Sequence, residues 1–336
     1  MHKFMKQRKV FSFNSELYKV TGVQRVLMDV HHAVQDEYEA KIVGTISYGQ
    51  VHKDLGIRKS EYIRWCNPFL FRKSIVILHE RKFLLLFWLL NHLLFQRIKL
   101  VYIHHNVFNN HRRMSVMPET VVAISDEGVE NLHRFFRVPL PNIHKIYNCV
   151  KDIQPEPHKP YEGGEVNILY PARINDVKRQ TEIVKQLDDK LAPEIKIHFA
   201  GTGPEAQSLQ KAIQGKHNFE YLGYRSDIYQ LLQEYNYVML FSKHEGLPIT
   251  LIESAMCGTP AICNDVGGNP EVVCNNVSGF VLGKDDWQGL IQTINNLPKI
   301  TATEYQEMSS SSRKQYLKSF TFDSFKQNYR ALLQTL

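Results

Sequence analysis

The sequence predicts an α/β protein made of two units, each built on a parallel sheet. Three observations carry this. Short apolar runs rich in strand formers alternate with helical stretches along most of the chain. A length of 336 residues suits about two domains at ~150 residues each. Between two such runs, residues 151–164 (KDIQPEPHKPYEGG) hold three prolines and two glycines and read as a linker. The units are expected at 1–152 and 165–321.

In the first unit, residues 10–13 form a strand, followed by a loop ending at Thr21-Gly22 and a helix over 23–32. Gly22 suits a tight turn before that helix. Residues 74–78 and 100–103 are further strand runs, ending in His79-Glu80 and His104-His105-Asn106. A histidine at a strand's C-terminal end stands where open α/β sheets place ligands. His105 fits that place best, with His104 beside it as the other candidate. Between the two strands lies FLLLFWLLNHLLF, residues 83–95, edged by Arg81-Lys82 and by Arg97 and Lys99. It reads as a buried core helix, or else as an apolar, basic-edged patch that docks on a membrane surface. Thirteen residues interrupted by Asn91 and His92 are too short to span a bilayer. A strand over 120–124, a helix over 126–136 and a strand over 143–147 complete the unit.

The second unit opens with a strand over 166–170, then Arg173, Lys178 and a helix from Gln180. A strand over 195–200 runs into Gly201-Thr-Gly203, and residues 218–223 form another before a helix ending at Glu234. Residues 237–241 (YVMLF) suit a buried parallel strand. A turn with Gly246 and Pro248 leads to a helix over 249–257. Gly258 fits the residue after its end, and Pro260 forbids continuation. Residues 261–263 are the next strand, closed by Gly267-Gly268, and Asn269-Pro270-Glu271 opens another helix.

The chemistry concentrates around that turn. Glu245 lies in the loop and Glu253 eight residues on, inside the helix. A helix start offers unpaired backbone N–H groups and the positive end of the dipole, which suits phosphate. Carboxylates beside phosphate are costly unless they face neutral hydroxyls. A nucleotide-sugar supplies both.

Composition narrows the partners. Hydrophobic content of 43% and charged content of 22% are ordinary for a globular protein. The net charge of +7 hides an asymmetry: residues 1–150 carry 22 Lys/Arg against 12 Asp/Glu, and the remainder 19 against 22. The first half is thus expected to meet something anionic. The five cysteines (Cys66, Cys149, Cys257, Cys263, Cys274) have no metal-ligand spacing and read as reduced structural thiols of a cytoplasmic protein. The N-terminal Met-His-Lys-Phe-Met-Lys-Gln-Arg-Lys shows no signal-peptide core. A nucleic-acid partner is suggested only by the pI near 9.0, without aromatic interleaving or a binding motif.

The segment from Glu245-Gly-Leu-Pro-Ile-Thr-Leu-Ile-Glu253 through Gly258-Thr-Pro to Gly267-Gly-Asn-Pro-Glu271 resembles the E-x7-E signature of glycosyltransferase family four. These are retaining enzymes of the GT-B architecture, two Rossmann-like domains facing across a cleft. The resemblance implies transfer of a sugar from a nucleotide-sugar, UDP- ahead of GDP-, to a hydroxyl of a saccharide or lipid-linked saccharide in bacterial surface-polysaccharide assembly. It implies that Glu253 binds ribose and Glu245 the donor sugar. Arg173, Lys178 and the backbone from Gly246, Leu247, Pro248 and Ile249 to Thr250 and Leu251 would hold the diphosphate, with Gly201 in the adjoining loop. His105 and Gly22 would act from the first domain, to which the final helix, 322–336, would return. No metal is required, so activity is expected to resist chelators. The basic half and residues 83–95 point to peripheral contact with an anionic membrane at its inner face. A nucleotide-sugar epimerase of the same fold is the alternative.

Overall fold

The computed structural model describes residues 8–156 and 164–336, and the chain divides into two compact units. One comprises the residues up to Cys149 together with Phe322–Leu336; the other is Val150–Thr321. The N-terminal residues 1–7 and most of the expected linker, 157–163, lie outside the described residues.

The first unit holds β1 (Lys9–Phe13), α1 (Gly22–Val34), β2 (Glu39–Gly44), β3 (Tyr62–Arg64) and β4 (Ile75–Leu78). It continues with α2 (Leu84–Leu93), β5 (Lys99–His104), β6 (Thr120–Ala123), α3 (Asp126–Glu130) and β7 (Ile143–Lys145). The seven strands are all parallel, in the order β3-β2-β1-β4-β5-β6-β7. Central strands such as IVIL (β4) and TVVA (β6) are apolar and buried throughout, as parallel strands covered on both faces must be. Their core joins Phe11, Phe13, Val76, Leu78 and Tyr102 to Phe71 and Leu132. α3 runs directly into a π-helical turn, Asn131–Phe135, so the single helix expected over 126–136 changes pitch midway.

The second unit holds β8 (Val166–Pro171), α4 (Gln180–Leu187), β9 (Ile195–Ala200), α5 (Ala206–Ile213), β10 (Phe219–Gly223), α6 (Ile228–Glu234) and β11 (Tyr237–Leu240). Then follow α7 (Ile249–Cys257), β12 (Ala261–Asn264), α8 (Asn269–Val272), β13 (Gly279–Leu282), α9 (Trp287–Asn296) and α10 (Ala302–Ser319). Its six strands are parallel in the order β10-β9-β8-β11-β12-β13, the doubly wound Rossmann order. The last helix, α11 (Phe322–Gln334), belongs to the first unit and packs on α1. Arg330 Nε donates to the Ala33 carbonyl at 3.0 Å and Lys326 pairs with Asp36 at 2.8 Å. Among the described residues, no helix is long and apolar enough to cross a membrane.

One expectation is corrected. The apolar run 83–95 is not a core helix: α2 buries only Leu84 and Phe87. These two lie one turn apart and reach the cluster of Phe13 and Phe71, so a single narrow stripe meets the sheet. Leu85, Leu86, Trp88, Leu93, Leu94 and Phe95 are exposed.

Candidate active site

Strand order locates the site in the second unit. The sheet reverses its winding between β8 and β11, and ligands of such sheets bind outside the strand ends at that switch point. The loop after β8 carries Arg173 and Lys178; the loop after β11 carries Glu245. The two loops meet. Lys178 Nζ lies 2.5 Å from Glu245 Oε1, both side chains mostly buried. Lys243 N–H donates to the Val177 carbonyl at 2.8 Å, and its ammonium pairs with Asp176 at 2.6 Å.

Buried polar groups fix Lys178. The Tyr170 hydroxyl, at the end of β8, donates to the Lys178 carbonyl at 2.6 Å and accepts from the Phe241 N–H at 3.1 Å. One side chain thereby ties both loops to the sheet. Burial raises the Tyr170 phenol above its ordinary range, so it stays a donor at all working pH. Asn175 Oδ1 accepts from the Lys178 N–H at 3.0 Å. The adjacent cation takes a different path. Arg179 stands in the left-handed region (φ +59°), buried, bonded to Glu182 and Asp285 and 4.6 Å over the Trp287 ring. Of the neighbouring cations, Lys178 reaches the switch point and Arg179 braces the loop. The Arg173 side chain is exposed, while its carbonyl accepts from Gln180 Nε2 at 3.0 Å.

The glycine loop supports Arg173 from behind. Gly201 has φ +143°, and a Cβ there would collide with the Ala172 carbonyl; one at Gly203 would collide with that of Ile174. Their absence lets the loops pair, with the Ile174 N–H donating to the Thr202 carbonyl at 3.0 Å. Gly267 (φ +58°) does the same under Glu245, where a Cβ would strike the Glu245 and Gly246 carbonyls. Gly246, Leu247 and Pro248 are buried, and Pro248 stands at the N-cap of α7. The Leu251 N–H already donates to the Pro248 carbonyl at 3.2 Å. The amides of Ile249 and Thr250, ahead of it in the first turn, are therefore better placed for an anion. The Thr250 hydroxyl donates to the Pro171 carbonyl at 3.2 Å, anchoring the helix start beside β8. Glu253 lies deeper in α7, buried, accepting from the Tyr229 hydroxyl at 3.3 Å.

In the first unit the corresponding switch point lies between β1 and β4. Gly22 opens α1 there with negative φ, so its backbone does not require glycine. The Ser15 hydroxyl donates to Glu80 Oε1 at 2.8 Å, closing the β1 loop onto the end of β4. The paired histidines separate cleanly. His104 turns into the core, its Nε2 2.9 Å from Asn131 Oδ1, among Tyr102, Phe108 and Phe136. His105 Nε2 lies 3.2 Å from Nδ1 of His79, the last-but-one residue before the Arg81 turn. Burial lowers His105 to about 3 and His104 to about 4, and takes His79 well down. All three are neutral at pH 7.

This sets a pH signature. Their unfolded values lie near 6.5, so below that the unfolded chain binds protons that the native state refuses. Stability is complete above about 6.5 and falls toward 4, at up to ~1.4 kcal/mol per pH unit for each histidine. Glu61, held down to about 2 by Arg58, loses its contribution only between about 4.5 and 2. Thermal melting at pH 7, 6, 5 and 4.5 checks this: the slope should lessen in His105→Asn, whereas a flat profile contradicts buried neutral imidazoles.

Tyr170, Asn175 and Arg179, which hold the second-unit loops, were not singled out by the sequence, and His79, Glu80 and Gly267 were named there without these supporting roles. Strand order sets each at the switch point of its own sheet. All five cysteines are free thiols, and burial raises Cys257 to about 12.

Comparisons with known proteins agree with this fold. The sequence profile of the family described as glycosyl transferases group 1 matches residues 151–315. The chain is 25% identical over 185 residues to the N-acetyl-alpha-D-glucosaminyl L-malate synthase of Bacillus anthracis, covering 51% of this chain and 48% of that protein. It is 24% identical to the O-antigen biosynthesis glycosyltransferase WbnH of Escherichia coli, covering 48% and 46%. It thus matches about half the length of these relatives. The structure of Anabaena Alr3699/HepE in complex with UDP superposes with a TM-score of 0.83 at 17% identity, over 98% of this chain and 100% of that one, which is a likeness of fold. The fold is GT-B, and residues 151–315, just under half of the chain, match the glycosyl transferases group 1 family.

Proposed function

We propose that the protein is a retaining glycosyltransferase that moves a sugar from a nucleotide-sugar, UDP- ahead of GDP-, to a hydroxyl of a saccharide or lipid-linked saccharide. The acceptor belongs to surface-polysaccharide assembly, presented at the inner face of an anionic membrane that the protein meets peripherally. The observation that carries the reading is the Lys178–Glu245 pair at the β8/β11 switch point, beside the start of α7. Glu245 holds Lys178 through Oε1, while Oε2 faces no protein donor among the described residues and suits a sugar hydroxyl. Glu253 takes the ribose hydroxyls. Arg173, Lys178 and the amides at Ile249 and Thr250 hold the diphosphate and stabilise the charge it gains on leaving. This places fixed cations where a metal would otherwise serve, and activity is expected without one. His105, neutral and oriented by His79, acts on the donor sugar by the family resemblance, with Gly22 at the acceptor side. The family match over residues 151–315, the O-antigen relative and the UDP-bound fold neighbour support the reading.

The test is a panel of UDP- and GDP-sugars assayed for slow hydrolysis in EDTA, which needs no acceptor. One UDP-sugar should be cleaved, and Arg173→Ala should slow it ~100-fold or more through loss of one charge-assisted donor. Full activity of Arg173→Ala, or release of an epimerised nucleotide-sugar instead of free sugar, contradicts the assignment.

A further inference from the structure

Six of the sixteen exposed large apolar side chains among the described residues fall in one short segment. Leu85, Leu86, Trp88, Leu93, Leu94 and Phe95 all lie on α2 and the turn after it, and Leu93 and Phe95 are 68% and 80% exposed. Around the helix, Leu85, Leu86 and Leu93 fall on the side opposite the Leu84–Phe87 stripe, while Trp88, four residues after Leu84, lies at the stripe's edge. Phe69, 53% exposed, adjoins them, because Gln96 Nε2 donates to the Pro68 carbonyl at 2.7 Å.

The backbone is held so as to present this surface. Lys73, Phe95 and Arg97 account for three of the nine non-glycine residues with positive φ among those described. Between Phe95 and Arg97, Gln96 is fully buried, and its carbonyl accepts from the Lys73 N–H at 2.8 Å. Inward Gln96 turns Phe95 and Arg97 outward. Such conformations persist only where the surroundings enforce them.

Charge decides the occupant. From residue 62 to 118 the chain carries nine Lys/Arg and one acid, Glu80, which is engaged with Ser15 and Lys82. Arg72, Lys73, Arg97 and Lys99 are exposed around the apolar side chains. An apolar face with an aromatic residue and a cationic rim matches the interface of an anionic bilayer, where the side chains enter the acyl boundary and the cations meet headgroups. A second copy of the chain would bring like charges together.

We propose that α2 and the 94–97 turn form a membrane-docking surface for anionic lipid, with Leu86, Leu93 and Phe95 inserted, Trp88 at the edge of the inserted face, and Arg72, Lys73, Arg97 and Lys99 on the headgroups. This names the partner implied by the transferase reading and rests on it only for its purpose, since docking is measured without donor or acceptor.

The test is flotation with vesicles of 30% phosphatidylglycerol in phosphatidylcholine at 50 mM salt. The chain should float with these and at least tenfold less with pure phosphatidylcholine. Leu93→Ser/Phe95→Ser should lose binding at least tenfold. Arg72→Gln/Arg97→Gln should lose it ~25-fold, about fivefold per cation. Circular dichroism, melting and UDP-sugar hydrolysis should be unchanged in both variants. Brominated acyl chains should quench the wild type more than Trp88→Phe. No flotation, equal flotation of the variants, or a dimer that Leu93→Ser/Phe95→Ser converts to monomer without any lipid binding overturns the proposal. Loss of hydrolysis with flotation intact would count against the transferase reading alone.

Discussion

Glu245→Ala is expected to lower donor cleavage by ~100- to 1,000-fold, the range for removing one group aimed at the reacting sugar. The change removes the acceptor of a sugar hydroxyl and also leaves Lys178 without its partner at 2.5 Å. The second effect is separable. Glu245→Gln keeps the shape and a hydroxyl acceptor but loses the ion pair, and Lys178→Ala loses the pair from the other side. Because the two residues touch, their effects should not add. The double variant should be less impaired than the product of the single ones. Additive losses would mean that the pair acts as two independent groups, and a fully active Glu245→Ala would remove Glu245 from the mechanism. The pair's side chains are only 20% and 9% exposed, which sets it apart from surface pairs of negligible worth.

Gly201→Val is expected to be the most disruptive substitution in the second unit for stability. Two costs coincide there. The backbone at φ +143° is nearly closed to other residues, and the added Cβ would meet the Ala172 carbonyl, part of the backbone leading to Arg173. Neither neighbour is a flexible side-chain end, so the loop pairing between Ile174 and Thr202 must open. A loss of ~3 kcal/mol or more in urea unfolding is expected. Gly215→Ala is the control. It also has positive φ (+77°), but nothing lies within 4 Å of its missing Cβ, so it should cost only ~1 kcal/mol. Equal costs at the two sites would show that close approach at Gly201 plays no part.

The alternation of strand and helix was legible because parallel strands buried on both faces are written as unbroken apolar runs, as at β4, β6 and β11. β2 and β3 were not, since Glu39–Gly44 is only half buried and Tyr62–Arg64 is three residues long. The segment 83–95 misled for a related reason. An apolar sequence has no label that distinguishes packing against a sheet from exposure to a partner, and only the sheet's reach fixed the buried stripe. At the site, Glu245 stood out as a carboxylate in the loop before a helix, and Lys178 through the family resemblance. Tyr170 did not, because a tyrosine inside VNILYP looks like core until strand order sets its hydroxyl between the Lys178 carbonyl and the Phe241 amide. The sequence favoured His105 over His104 but did not show what separates them. The hydrogen bond to Asn131 turns one inward, and His79 takes the other.

We propose that the β8/β11 switch point binds a nucleoside diphosphate through Arg173, Lys178 and the start of α7. Equilibrium titration of UDP, in EDTA, into the wild type, Arg173→Ala and Lys178→Ala tests it most directly. The wild type should bind UDP, binding should weaken as salt rises, and each substitution should cost at least tenfold, ~1.4 kcal/mol. Undiminished UDP binding by both variants, or none by the wild type, contradicts it.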